Sequence, residues 1–312
     1  MAHALHRLQL FKYYGSKCRM TAALSVLVPK TTDMLVSLFV GSGAFEYSYA
    51  QAHPESKVVC YDIDPAIVNF HQAALSDRLA LHDRIMALHA TLCKPCESVM
   101  RKDAYDKLVR SNLHAGLLGA ARFFIVMAYS YSGKRGSFAV QERFRKPSAL
   151  LQQLPTNIEV RHGDAFDVLD RLRKSRRHDS KTFFYMDPPY FLARKDYYEH
   201  ASFDHERLAT LLHGSGLRWL LSYNDVPGVR HMYAKLPNIS LSIAYSTLEH
   251  GGQSNTESKA ELLVHSMPIT AQQRRRCRAA FHTGMTIRFG RVGASGAPQR
   301  AGGALRASGP PR

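Results

Sequence analysis

Phe183-Phe184-Tyr185-Met186-Asp187-Pro188-Pro189-Tyr190 is an apolar run that stops at an acid, two prolines and an aromatic. Three aromatics and a methionine in succession read as a buried strand. The prolines must end its ladder, because neither has an N–H to donate. Asp187 therefore falls at the carboxyl end of a strand, which is where open α/β sheets bind ligands. A carboxylate beside a rigid proline carbonyl offers two acceptors for one NH2 group, and Tyr190 offers a face for a planar base. The same four residues would also serve as a plain turn after a buried strand, so their flanks must decide.

Upstream, an apolar strand, Met34 to Val40, runs into Gly41-Ser42-Gly43-Ala44-Phe45-Glu46 and then a helical stretch. Strand, glycine loop and helix together suit a nucleotide, although Glu46 stands where a dinucleotide fingerprint has its third glycine. A second strand, Lys57 to Asp62, ends in an acid 19 residues after Gly43. An acid at that point can accept both hydroxyls of a ribose, or cap the helix that starts near Pro65. Phe11-Lys12-Tyr13-Tyr14-Gly15-Ser16-Lys17 is either an arm packing its aromatics on the core or a clamp over a ligand. Downstream, Asn157 to Arg161 predicts a strand closing on Gly163-Asp164, and residues 217 to 223 predict another around Trp219. Leu241 to Thr247 and Ala260 to His265 read as an antiparallel pair joined by a polar loop, Glu249 to Lys259.

The 312-residue chain is 45% hydrophobic, enough for a large α/β domain with a smaller insertion. No apolar run approaches the ~20 residues that span a bilayer, and Met1 to Lys12 lacks the apolar region of a signal peptide. These features predict a soluble cytoplasmic protein with no membrane partner. The net charge of +17 suits a polyanionic partner. Part of it is concentrated at residues 262–312, which hold nine Arg and no Lys, Asp or Glu. From Thr270 onward the Arg, Gly, Ala, Ser and Pro composition reads as a disordered basic tail. Five scattered cysteines argue against a disulfide framework, and Cys93 and Cys96 lack the second pair that zinc needs. No metal is expected.

Residues 66 to about 155 show helical patterning with a basic, aromatic middle. It runs through Arg122-Phe123-Phe124 and Tyr129 to Phe138, then Arg143, Arg145 and Lys146. Serine, glycine, tyrosine and arginine at this density suit contacts to phosphates and base edges, which makes Lys134, Arg135, Arg143 and Arg145 candidate DNA contacts. A solvated loop would have the same composition.

Taken in order, Lys12 to Lys17, Phe39 to Phe45, Tyr61-Asp62-Ile63-Asp64-Pro65, a helical insertion, Gly163-Asp164 and Asp187-Pro188-Pro189-Tyr190 resemble the Dam-like N6-adenine DNA methyltransferases of the alpha group. The likeness extends over residues 11 to about 267. It implies a Rossmann-like S-adenosylmethionine-dependent α/β fold in two parts, residues 1–65 and 156–268, flanking a helical target-recognition insertion, 66–155, with the tail at 269–312. It implies cofactor contacts at Tyr13, Lys17, Phe39, Gly41, Gly43, Asp62, Asp164, Phe166 and Asp187, and a catalytic motif at Asp187, Pro188 and Tyr190. Double-stranded DNA is the implied partner, in a bacterial or phage-like setting that leaves room for a restriction enzyme in the same system. One departure stands out: Ser37 and Leu38 occupy the places where the family usually has an acid and a proline. How the cofactor's ammonium is neutralised is then open, with Asp187 and Glu46 as candidates.

The implied chemistry suits the residues. Hydrogen bonds from an adenine amine to Asp187 and the Pro188 carbonyl would localise the N6 lone pair for in-line attack on a methyl group. The base must first leave the duplex stack. Cytosine N4, RNA adenine and protein glutamine are the competing amines, and Asp187 favours adenine over the first and third. A catalytically impaired nucleic-acid-binding protein remains the alternative of a different class.

Overall fold

The computed structural model describes residues 8–93, 98–111, 115–139, 144–175, 180–191, 203–248, 254–280 and 285–290. Eight strands form one sheet: β1 (Met34–Ser37), β2 (Lys57–Asp62), β3 (Ile158–His162), β4 (Thr182–Met186), β5 (Trp219–Asn224), β6 (Asn238–Leu248), β7 (Ser254–His265) and β8 (Met285–Phe289). Their spatial order is β3-β2-β1-β4-β5-β7-β6-β8. The first five are parallel, and β7, β6 and β8 run antiparallel to their neighbours. Order reverses between β1 and β4, whose registers pair Ser37 with Tyr185. That switch opens the crevice at the carboxyl ends of the central strands.

The parallel strands are short and apolar because helices cover both faces. On one side lie α1 (Thr21–Leu27), α2 (Ala44–Ala52) and α3 (Pro65–Ser76), followed by the helices of the insertion. On the other lie α8 (Ala165–Ser175), α9 (His205–His213) and α10 (Pro227–Met232), packed around Phe184, Met186, Trp219 and Leu221. β4 is buried along its whole length, so its Phe-Phe-Tyr-Met run serves both layers at once. Asp64, not Asp62, caps α3: its carboxylate accepts from the amides of Ala66 and Ile67, with Pro65 at the first helical position.

Residues 66–155 contain α3, α4 (Arg78–Cys93), α5 (Ser98–Arg110), α6 (Gly116–Ala128) and α7 (Ser148–Gln152). Part of the stretch read as a basic surface is core. Phe123 and Phe124 are buried, and Arg122 turns inward to donate to the Leu108 carbonyl and, at 2.8 Å, to that of Val109. It thereby satisfies carbonyls that the end of α5 leaves without helical partners.

Two expectations are corrected. The polar loop expected from Glu249 to Lys259 is shorter, because the β6–β7 ladder continues to Leu248 opposite Ser254. Backbone pairing in a hairpin needs no apolar side chain, so composition hides it. Of the tail expected to be disordered from Thr270 onward, part instead forms α11 (Ala271–Ala280) and β8, while residues 281–284 and 291–312 fall outside the described residues. Cys277 is buried against α1, its thiol reaching the Ala23 carbonyl at 3.8 Å. The guanidiniums of Arg274 and Arg278 lie 5.1 and 5.4 Å from the Phe289 ring centre. Arginine here packs by its flat face as well as repelling by its charge.

Candidate active site

The glycine loop after β1 is shaped by backbone conformation. Gly41 and Gly43 hold φ of +47° and +67°, and a Cβ on Gly41 would come within 2.9 Å of the Tyr13 ring. The loop is held from beneath by His71, whose Nε2 meets the Gly41 carbonyl at 2.8 Å and whose Nδ1 meets the Tyr47 hydroxyl at 2.9 Å. A carbonyl can only accept, so Nε2 carries the proton. Burial pushes the His71 pKa down to about 4, which keeps the ring neutral and leaves Nδ1 to accept from Tyr47.

Above this loop is a cavity of about 370 Å³, within the usual range for small-molecule sites. Tyr13, Lys17, Phe39, Gly41, Asp62, Asp164, Phe166, Asp187 and Pro188 line it, so residues spread over most of the chain converge. Gly43 stands just below the wall as the cap of α2. Tyr190 lies outside it, with its hydroxyl donating at 2.6 Å to the buried Glu261 and its ring centre 4.9 Å from Lys17 Nζ.

At the end of β2, Asp62 is 9% exposed and accepts from the amides of Gly41 at 2.9 Å and Asp64 at 3.0 Å. Burial raises its pKa to about 6, and those two amides only partly offset the rise. At the end of β4, Lys17 Nζ stands 2.7 Å from both carboxylate oxygens of Asp187, and Ser222 donates to Oδ1 at 2.8 Å. With the Ser222 proton engaged there, the Tyr185 hydroxyl donates to Ser222 at 3.0 Å. Burial pushes the Asp187 carboxyl upward, against the pull of the Lys17 ammonium. Of its lone pairs, Oδ1 uses two and Oδ2 one, so Oδ2 keeps room for another donor.

Three of the four candidate DNA contacts are among the described residues. Arg135 is an arm of the cavity wall, 2.7 Å from Asp64 Oδ2 and over the Phe123 ring. Arg145 is exposed and Lys134 half-buried, beside Tyr131, which is 70% exposed. Arg143 falls outside the described residues. The sequence reading missed Ser222, Glu261, His71, Asp64 and Phe203 as parts of the site. Phe203 stacks on Phe166 at 5.2 Å and meets Phe39 edge-on at 5.6 Å, with no motif to announce it.

The residues suit an adenosine bearing an amino acid. The cavity offers a buried acid at Asp62, aromatic rings at Phe39, Phe166 and Phe203, and a start of α2 that no side chain caps among the described residues. A sheet with a parallel core, a glycine loop after β1, an acid at the end of β2 and a cavity at the switch point define a Rossmann-like nucleotide-binding fold. The chain belongs to the D12 class N6 adenine-specific DNA methyltransferases, whose family model matches residues 13–247, well over half its length. It is thus an adenine-specific DNA methyltransferase with double-stranded DNA as substrate and S-adenosylmethionine as cofactor.

No curated protein matches the chain. Similar solved structures include a probable spermidine synthase from Corynebacterium glutamicum ATCC 13032, 10% identical, covering 93% of this chain and 80% of its own, TM-score 0.41. The precorrin-6y C5,15-methyltransferase from Geobacter metallireducens GS-15 is 7% identical over 82% and 93%, TM-score 0.38. Human methyltransferase-like protein 13 in complex with SAH is 11% identical over 84% and 87%, TM-score 0.35. Among the described residues, no helix is long and apolar enough to cross a membrane.

Proposed function

We propose that this methyltransferase acts on an adenine flipped out of the duplex, and that Asp187 and the Pro188 carbonyl accept hydrogen bonds from the two N–H groups of its N6 amine. The observation that carries the proposal is the state of Asp187. It faces the cavity with Oδ1 committed to Lys17 and Ser222 and a lone pair of Oδ2 still available, so one position is left for a neutral donor. Bound S-adenosylmethionine supplies an electrophilic methyl group on a sulfonium. Asp187 and Pro188 orient the amine and draw its nitrogen lone pair out of conjugation with the ring. Lys17 holds the carboxylate in place, and Ser222 fixes its rotation from β5. Tyr190, steadied by Glu261, offers a face for the displaced base, and Asn224 fixes the chain after it by bonding both the amide and the carbonyl of Phe191. Asp62 receives the ribose hydroxyls.

The test has two stages. Sequencing modified bases in DNA from cells expressing the protein gives the methylated site. A duplex with 2-aminopurine at the target position should then brighten on binding, because an unstacked 2-aminopurine fluoresces. N4-methylcytosine as the product, or no brightening at a site that is methylated, would overturn the proposal.

A further inference from the structure

Glu46 sits in the first turn of α2, is 2% exposed, and lines the same cavity. Its Oε1 accepts from the Ser37 hydroxyl at 2.7 Å. Apart from its own backbone amide, Ser37 is its one hydrogen-bond partner among the described residues, and no cation pairs with it there. Lys17, the nearest ammonium named in its surroundings, already bonds both oxygens of Asp187. A buried acid that faces a cavity without a cation is costly unless a ligand brings one.

The cofactor carries two cations, an ammonium and a sulfonium, and its carboxylate suits the start of α2, which no side chain caps among the described residues. Glu46 belongs to that same turn. The ammonium sits on the carbon that bears the carboxylate, so the acid of the turn is the group closest to it by connectivity. We propose that Glu46, held in place by Ser37, is the carboxylate that receives the ammonium of the cofactor's methionine moiety, an assignment that rests on this cavity being the S-adenosylmethionine site.

A consequence is proton release. Burial raises the Glu46 pKa to about 8, eased by the Ser37 hydroxyl and its own amide. The titratable groups around it are Asp187 and Tyr185 on the β4 side, Lys17 from the N-terminal segment, Cys60 on β2 and Tyr47 on α2. Of these, Asp187 raises the value and Lys17 lowers it. At neutral pH the empty site therefore holds a proton on Glu46, and an arriving ammonium displaces it to solvent.

Calorimetry at pH 7 in two buffers of different ionisation enthalpy reads that proton. S-adenosylhomocysteine, which keeps the ammonium and lacks the sulfonium, should release close to one proton, and 5′-methylthioadenosine, which lacks the amino acid, none. In Glu46→Gln the release should vanish and the affinity for S-adenosylhomocysteine fall at least about tenfold, while 5′-methylthioadenosine binds as before. A Ser37→Asp, Glu46→Gln double variant should recover most of that affinity, which separates lost charge from lost folding. An unchanged preference for S-adenosylhomocysteine in Glu46→Gln, or a loss confined to S-adenosylmethionine, would overturn the assignment. Failure of all three ligands to bind the wild-type protein would instead remove the cofactor site on which it rests.

Discussion

In the helical insertion the buried guanidinium of Arg122 is taken up by its own scaffold, whereas at the carboxyl end of the sheet Glu46 and Asp62 are buried as acids facing a cavity. Arg122 donates to carbonyls at the end of α5, so its N–H groups are taken up within the scaffold even though burial lowers its pKa. Among the described residues Asp62 is answered by backbone amides, chiefly those of Asp64 and Gly41, and Glu46 by one hydroxyl and its own amide, and burial raises their pKa values to about 6 and about 8. A buried charge whose hydrogen bonds are spent on the scaffold marks scaffold, while an acid raised in pKa that faces a cavity marks a place where a ligand completes the set.

The largest effect that would sharpen this contrast is on stability. Both acids bind protons more tightly folded than unfolded. Their contribution is therefore complete below about pH 4 and is lost as pH rises through about 6 and then about 8. At ~1.4 kcal/mol for each tenfold difference in proton affinity, the two acids together lose on the order of 8 kcal/mol across that range. His71, whose pKa burial pushes down to about 4, returns on the order of 3 kcal/mol between about pH 4 and 6.5. The cofactor-free protein should therefore lose on the order of 4 kcal/mol net. Chemical denaturation at a series of pH values checks this, and Glu46→Gln should flatten the upper part of the decline. A wild-type profile that does not fall between about pH 6.5 and 8, where His71 no longer titrates in either state, would mean that Glu46 is not strained.

Next in size is Asp187→Asn, which keeps the shape but replaces an acceptor-only carboxylate with an amide. Single-turnover transfer should fall by at least about 10², equivalent to ~2.7 kcal/mol, while DNA affinity holds. Full activity in this variant would take Asp187 out of the chemistry.

Arg122→Met tests the other side of the comparison. It should cost about 2 kcal/mol of stability by leaving the Leu108 and Val109 carbonyls without a charged donor, yet leave cofactor affinity unchanged in the folded fraction. Loss of affinity at equal folding would tie the insertion's interior to the cavity.

Asp62→Ala should weaken cofactor binding by about 1.5 kcal/mol. In the wild type, binding should weaken as pH falls below about 6, where the carboxylate gains a proton. Titration calorimetry at several pH values reads both.

The smallest effects concern DNA. Replacing Lys134 and Arg145 should lower the salt slope of DNA affinity by up to about 0.9 log unit for each lost contact. Arg135→Ala should move it less and disturb the cofactor more, because its guanidinium is paired with Asp64 in the cavity wall. The reverse pattern would put Arg135 on the DNA surface.

The sequence by itself determined the parallel strands, the glycine loop, the acids at Asp62 and Asp187 and the helical character of the insertion. Each is written locally, as an apolar run ending in a turn residue or as a helical period. Tertiary structure decided which acid had which task. Asp62 alone is considered as a cap from sequence, whereas the path of the backbone gives the cap to Asp64 and the Gly41 amide to Asp62. It also brought Ser222, 35 positions from Asp187, and Glu261, 71 positions from Tyr190, to the motif that needs them. The C-terminal segment shows the same limit. Its arginine-rich composition predicts disorder, yet one buried cysteine, two guanidiniums over a phenylalanine and an open sheet edge are enough to seat α11 and β8. Contacts of that kind join residues far apart in the chain, and a local pattern of hydrophobicity carries no trace of them.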